Sequence, residues 1–383
     1  MASTRTIRVL FEVVQEYYWP AMEPIYQALA ADETYDLYLR IGPNHRRLMG
    51  VFLVPKRGRI EAKYRAGGYR LTRGVSPFDA VICGDTLKHP ERYGNALLCN
   101  VDHGPCFKTL RYRNLLKQPA TKYVVFAEGR YRMEKLREHG LDKTEIVRDV
   151  GLPKLDPFFT GRYSRDEIIG RHKLDPAKRI VLYAPTYKPT SIFIVGEYLR
   201  SLLDHYTVVV KLHPYSWSGK YAPHAQHRLF ERIAHDDARL CLVPPHYHDI
   251  MPYLFAADTM ISEASSVINE FLALGRCGII VDLDDGALKH SDGEPLLEEE
   301  TSEWLKDSFV HISDPSRLAW AVDEALHPSP ERARNLKTDK DYIYSFTDGT
   351  SSLRVKQVIE ELLGAREDGS SAARARANED TAA

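Results

Sequence analysis

Histidines stand at three points where an apolar run breaks into a turn. They are His103 in Val101-Asp102-His103-Gly104-Pro105, His213 in Val210-Lys211-Leu212-His213-Pro214, and His246 with His248 in Pro245-His246-Tyr247-His248-Asp249-Ile250. An imidazole is the side chain best poised to take a proton from a hydroxyl near neutral pH. Gly104 lets the chain turn so that the His103 ring can face a cleft, and Lys211 places a cation two residues before His213, suited to a phosphate. One histidine at a strand end is more often a hydrogen-bonded structural residue than a catalyst. Three such places, all expected on one edge of parallel sheets, point to a site. The strongest local signal is Ser262-Glu263-Ala264-Ser265-Ser266, a strand end followed by an amphipathic helix with Val267, Phe271 and Leu274 on one face. Free N–H groups at a helix start beside two hydroxyls suit a diphosphate; the plainer reading is that Ser265 caps the helix.

Other chemistries find less support. His246-x-His248-Asp249 and Asp282-x-Asp284-Asp285 contain metal-ligand types, but neither run completes a ligand set, so no metal and no cofactor is expected. There is no G-x-x-x-x-G-K-[ST] loop and no G-x-G-x-x-G after a strand, which disfavours a P-loop NTPase and a dinucleotide dehydrogenase. The absence of a G-x-S-x-G elbow removes the common hydrolase reading.

These residues need elements to hold them. Short β-branched apolar runs alternate with helical patterns, the signature of α/β domains with parallel sheets. Candidate strands are Arg8–Val14, Tyr35–Ile41, Ala80–Cys83, Ala96–Val101, Tyr123–Phe126, Ile180–Ala184, Thr207–Leu212, Leu240–Val243, Thr259–Ser262 and Cys277–Val281. Tyr183-Ala184-Pro185-Thr186, His213-Pro214 and the Ser262 segment all leave carboxyl ends of strands, where open α/β sheets bind ligands. The Asp-, Gly- and Pro-rich stretch Pro153–Pro176 divides the chain into two Rossmann-like domains facing a cleft, 1–170 and 171–345, followed by a helix at 346–364 and a small-residue, charged tail at 365–383 that reads as disordered.

The 383 residues are 44% hydrophobic, with 52 Lys+Arg against 53 Asp+Glu, which suits two soluble domains and argues against a nucleic-acid partner. No run reaches the roughly eighteen apolar residues of a membrane span, and the Ile7–Val14 run is too short and β-branched for a signal peptide. Five widely spaced cysteines without a C-x-x-C pair fit reduced thiols in the cytoplasm. The near-zero charge is a sum of blocks. From Arg40 to Arg73 stand ten basic residues, among them Arg46, Arg47, Lys56, Arg57 and Arg59, against the single acid Glu61, with Leu48, Phe52 and Val54 interleaved. Such a segment can rest on the inner face of an anionic membrane or hold a polyanionic acceptor; otherwise it is a solvated loop or helix face balanced by the acidic stretch Asp282–Asp307.

In order along the chain come Asp102-His103-Gly104, Gly151-Leu152-Pro153-Lys154-Leu155-Asp156, Tyr183-Ala184-Pro185-Thr186-Tyr187-Lys188, Lys211-Leu212-His213-Pro214, His248-Asp249-Ile250 with Ala257-Asp258, Ser265-Ser266, and Phe346-Thr347-Asp348-Gly349 with Arg354. Over Asp102 to Leu362 this series resembles the CDP-glycerol glycerophosphotransferase family of teichoic-acid and capsule synthesis. The resemblance implies a GT-B architecture with the acceptor side amino-terminal, the nucleotide side carboxy-terminal, and a last helix crossing back. It implies transfer of glycerol phosphate, or a related alditol phosphate, from a CDP-linked donor to a hydroxyl of a glycan, lipid-linked or teichoic-acid-like acceptor, releasing CMP. His103 would be the general base. His213 and His248 would neutralise the diphosphate, with Thr186, Lys211, Glu263, Ser265 and Ser266 on the donor. Glu263-Ala264 stands where the family commonly has Asp-Tyr, and Lys154 where Arg is frequent. Rival readings are a GT-B glycosyltransferase or UDP-sugar epimerase using a nucleotide sugar, which would release or retain a diphosphate, and a non-catalytic polyanion binder working through Arg40–Arg73.

Overall fold

The computed structural model describes residues 5–42, 45–48, 52–55, 57–75, 77–105, 107–217, 226–283, 288–290 and 292–380, of which 45–48, 52–55 and 367–380 are described in backbone alone. Short Val-, Ile- and Leu-rich runs buried on both faces form parallel strands under flanking helices. In chain order the strands are β1 (Ile7–Val13), β2 (Tyr35–Ile41), β3 (His45–Leu48), β4 (Phe52–Pro55), β5 (Ala80–Cys83), β6 (Leu97–Asn100), β7 (Tyr123–Ala127), β8 (Ile146–Asp149), β9 (Ile180–Tyr183), β10 (Thr207–Val210), β11 (Leu240–Leu242), β12 (Thr259–Ser262), β13 (Ile279–Val281) and β14 (Val310–Ile312).

Two six-stranded parallel sheets result, ordered β2-β1-β5-β6-β7-β8 and β11-β10-β9-β12-β13-β14. Counted within itself, the second sheet runs 3-2-1-4-5-6, the Rossmann order. In the first sheet the third position shrinks to one residue: Leu71 bridges in parallel to Leu39, with Leu39 N donating to Arg70 O at 2.8 Å and Thr72 N to Leu39 O at 2.9 Å. All ten strands expected from sequence lie in these sheets. The three elements not foreseen are the edge strands β8 and β14 and the antiparallel β3–β4 hairpin, in which Arg46 pairs with Val54 and Arg47 with Leu53.

Alternation along β1 feeds two cores: Val9, Phe11 and Val13 pack with Met22, Ile25 and Leu39, while Leu10 packs with Val81, Tyr112 and Leu136 on the other face. A third core surrounds the second sheet and draws in Phe107, Tyr131, Phe158 and Ile168 from before residue 170. The last helix, Ser351–Asp380, returns to the first body, where Val355 and Ile359 enter the core of Phe11 and Met22. The tail expected to be disordered from residue 365 instead continues this helix to Asp380, in keeping with the helix propensity of its Ala and Arg residues.

Asp156 starts that helix. Its two carboxylate oxygens accept from Ser351 N at 3.0 Å and Ser352 N at 2.8 Å, satisfying N–H groups that the first turn leaves without partners. Gly151, at φ +83°, must be glycine, because a Cβ there would lie 2.5 Å from Ser351 Oγ. Asp156→Ala is expected to destabilise the protein by about 2 kcal/mol, the upper end for loss of a helix cap. Urea unfolding checks this, and an unchanged midpoint would contradict it.

Candidate active site

The strand order of the second sheet reverses between β9 and β12, and the loops leaving them part there to open a crevice. Glu263, fully buried after β12, ties the two loops together: Thr186 N donates to Oε1 at 2.8 Å and the Ser191 hydroxyl to Oε2 at 2.8 Å, with the Tyr183 hydroxyl 2.8 Å from Ser191 Oγ. Both oxygens of Glu263 are engaged inside the protein, where it shapes the wall of the crevice. Thr186, 5% exposed, presents its side chain from a backbone held by this contact.

The facing wall comes from the first sheet. Asp102, after β6, takes φ +37° and accepts from His103 N at 2.7 Å. Arg111 Nε at 3.4 Å and the buried Arg132 at 3.8 Å hold its carboxylate. His103 Nδ1 lies 3.0 Å from Gly84 O and 3.1 Å from Arg111 Nη2; in the tautomer that donates Nδ1–H to the carbonyl, which can only accept, Nε2 keeps its lone pair. Arg111 Nη2 lies 2.5 Å from Nε2, and the Tyr18 ring stacks on the imidazole at 4.1 Å. Burial, then the Arg111 charge, pushes the His103 pKa well below the usual histidine range. The ring is neutral and can accept a proton.

The walls meet at Gly104, where a Cβ would fall 2.7 Å from Ser266 Oγ and 3.2 Å from Glu270 Oε1. Lys154 Nζ donates to Glu270 Oε1 at 2.6 Å and to His103 O at 3.0 Å, with Lys154 6% and Glu270 0% exposed. Burial raises the Glu270 carboxyl, and Lys154 draws it back down. Ser266 is the N-cap of the helix Val267–Leu272, yet its side chain makes no capping bond. Ser265 stands one residue earlier, with its N donating to Glu263 O, so the capping reading of Ser265 does not hold.

His213 accepts from Tyr215 N at its Nδ1 (3.1 Å), leaving the hydrogen on Nε2. Burial, aided by Lys108 and Lys211, pushes its pKa down to about 3. The cationic His213 expected from sequence is therefore a neutral N–H donor in this cleft. The local charges include Lys108 and Lys211, the latter 5% exposed, whose pKa burial lowers to about 8 while Asp249 pulls it up. His248 Nε2 lies 3.6 Å from Glu16 Oε1, which Lys63 also meets at 3.3 Å. Between the walls stands Tyr17, its ring centroid 5.6 Å from those of both His103 and His213.

The structure thus brings His103, His213, His248, Lys211, Thr186 and Ser266 to one cleft. His246 and His248 have no third metal ligand among the described residues, and Asp284 and Asp285 lie outside them. Of the basic segment, the side chains of Arg46 and Arg47 and all of Lys56 lie outside the described residues. Arg57 pairs with Glu61 at 2.7 Å and Arg59 is exposed, both on the helix Arg57–Ala66. Among the described residues the two blocks find partners elsewhere: Asp292 pairs with Arg113 and Glu298 with His139, while Arg40 pairs with Glu12 and Arg70 with Asp36. Sequence reading missed Tyr17, Tyr18 and Arg111. The first two follow β1 at the same sheet edge as His103 and could have been found by that rule; Arg111, inside a helix, carried no signal.

Glu263 ionises near pH 4.5 when unfolded and at about 8 in the fold, so the folded state holds the extra proton between those values. Its contribution to stability is fully present below pH 4.5 and is lost as pH rises through 8. Glu263→Gln keeps an acceptor for Thr186 N and gives Ser191 an N–H. It should flatten melting temperature against pH over that window; a slope equal to wild type would contradict the assignment.

The family profile described as CDP-Glycerol:Poly(glycerophosphate) glycerophosphotransferase matches residues 103–361. Comparison with the curated proteins finds no match. Among solved structures, the wall teichoic acid polymerase TagF aligns with TM-score 0.64 at 15% identity, over 95% of this chain and 90% of that one. A putative UDP-N-acetylglucosamine 2-epimerase from Listeria monocytogenes aligns with TM-score 0.61 at 14% identity, over 94% and 97%. Sucrose-phosphate synthase from Thermosynechococcus elongatus gives 0.53 at 13%, over 94% and 100%. The architecture shared with these proteins is GT-B.

Proposed function

Because the chain belongs to the CDP-glycerol:poly(glycerophosphate) glycerophosphotransferase family, we propose that its cleft moves glycerol phosphate from CDP-glycerol to an acceptor hydroxyl, with His103 as general base and CMP as the leaving group. The observation that carries this reading is the His103 tautomer: Nδ1–H is tied to Gly84 O, so the unprotonated Nε2 is the proton acceptor at the seam between the two walls. The acceptor oxygen attacks the phosphorus of the glycerol phosphate while its proton passes to Nε2. The bond from that phosphorus to the bridging oxygen breaks, and CMP takes the electron pair.

Lys211 meets the diphosphate with the charge it carries, and the Nε2–H of His213 donates to a phosphate oxygen. Ser265 and Ser266 add hydroxyls where the helix Val267–Leu272 begins, Thr186 lines the crevice, and His248 exchanges Glu16 for phosphate. Arg111 leaves Nε2 when the acceptor hydroxyl takes that place. The acceptor in this reading is a hydroxyl of a cell-surface glycan or teichoic-acid-like chain, lipid-linked at the inner face of the membrane. The basic Arg40–Arg73 segment contacts that polyanion or the surface it is anchored to. No described helix is long and apolar enough to cross a membrane.

His103→Ala is expected to lower turnover by about two to four powers of ten, the span of general base catalysis, while leaving CDP-glycerol affinity near wild type by calorimetry. Turnover close to wild type would remove His103 from the role.

A further inference from the structure

A base that can deprotonate an acceptor hydroxyl can also deprotonate water. If His103 Nε2 met solvent while the donor was bound, the phosphorus would be lost to hydrolysis, and a closed site prevents this. Three groups surround the imidazole. Tyr18, 8% exposed, covers one face at 4.1 Å and is itself backed by Gly84, where a Cβ would come within 3.0 Å of it. Arg111, with its side chain 15% exposed, is fastened by Asp85 at 2.7 Å and Asp102 at 3.4 Å. Tyr17 is the third, only partly buried, and it packs edge-on against His103 and His213 at 5.6 Å each and against Tyr215 at 6.4 Å. Its ring spans the gap between the proposed base and the proposed donor ligand, where an attacking oxygen must come in. Its neighbour Glu16 is anchored to Lys63 and His248, which holds the loop across the cleft.

We propose that Tyr17 is a water-excluding plug: while Arg111 holds Nε2, the Tyr17 ring blocks the path to it in the free and donor-bound protein, and an acceptor hydroxyl, but not water, displaces the ring. The inference rests on the phosphotransfer reading above. The reaction it suppresses is balanced: the water oxygen bonds to the phosphorus of the glycerol phosphate, the bond to the bridging oxygen breaks with its electron pair leaving on CMP, and the water proton passes to His103 Nε2, giving glycerol phosphate and CMP. Tyr17 acts by the shape and position of its ring; its hydroxyl bonds to Tyr18.

The test measures CMP released from CDP-glycerol alone and from CDP-glycerol with a poly(glycerol phosphate) oligomer. For Tyr17→Ala, acceptor-independent release should rise by about tenfold or more over wild type, the scale of a lost exclusion contact, and its ratio to oligomer-dependent release should rise further. Tyr17→Phe, which keeps the ring, should hold the leak at the wild-type level. Should the alanine variant fail to fold by circular dichroism, Tyr17→Leu, narrower than the ring, carries the same test. A leak in the Ala or Leu variant no greater than wild type overturns the plug. So does a Phe variant that leaks as the Ala variant does. A wild-type protein that releases no CMP even with the oligomer overturns the phosphotransfer reading, and the plug with it.

Discussion

Lys154 and Glu270 face each other at 2.6 Å in the seam between the two domains, both almost wholly removed from water. Neither charge could be buried alone, since an unpaired ion in such a place costs several kcal/mol even after relaxation. Together they fix a distance. Lys154 belongs to the segment that joins the domains, and its ammonium also holds the carbonyl of His103. Glu270 belongs to the helix that Ser266 begins. The ion pair therefore fixes the relation between the loop of His103 and the loop of Ser266. Among the described residues Glu270 Oε2 has no hydrogen-bond partner, so the pair is held by one oxygen and by how closely Gly104 lets the chains approach.

The joining segment does more than carry Lys154. Within six residues Gly151 admits Ser351, Lys154 pins His103 and Glu270, and Asp156 caps the returning helix. One short motif thus connects the acceptor-side loop, the donor-side helix and the terminal helix. Burial then sets the chemistry at the cleft. It keeps His103 and His213 neutral, one as a lone-pair acceptor and the other as an N–H donor, and leaves Lys211 to carry the charge. Electrostatic stabilisation in a dry site depends on such preset dipoles and charges.

Central strands were legible because both faces are buried, which makes near-continuous runs such as Ile180–Tyr183 and Thr207–Val210. Two of the four edge strands were not: β8 is Ile-Val-Arg-Asp with no residue fully buried, and β14 sets His311 between its two buried residues. His103, His213 and the paired serines could be found because chain chemistry and sheet topology agree on where loops at strand ends must go. What could not be found was how these residues spend their polar atoms. Nothing local shows that Lys154 is paired with a residue 116 positions away, or that Glu263 turns inward to Thr186 and Ser191. Charge state was equally hidden, since it follows from burial that only the fold creates.

The two blocks of opposite charge teach the same point. The acidic arm bonds across to the first domain at Arg113 and His139, and the basic helix sends Lys63 to Glu16 at the mouth of the cleft, so composition predicted the blocks but not their partners. The central claim is that this seam cleaves the diphosphate on the glycerol side. It is tested most directly with CDP-glycerol carrying oxygen-18 in the bridging position of the diphosphate, with mass spectrometry of the released nucleotide. Attack at the phosphorus of the glycerol phosphate predicts CMP that retains the label. Release of CDP, or of CMP without the label, would contradict the account.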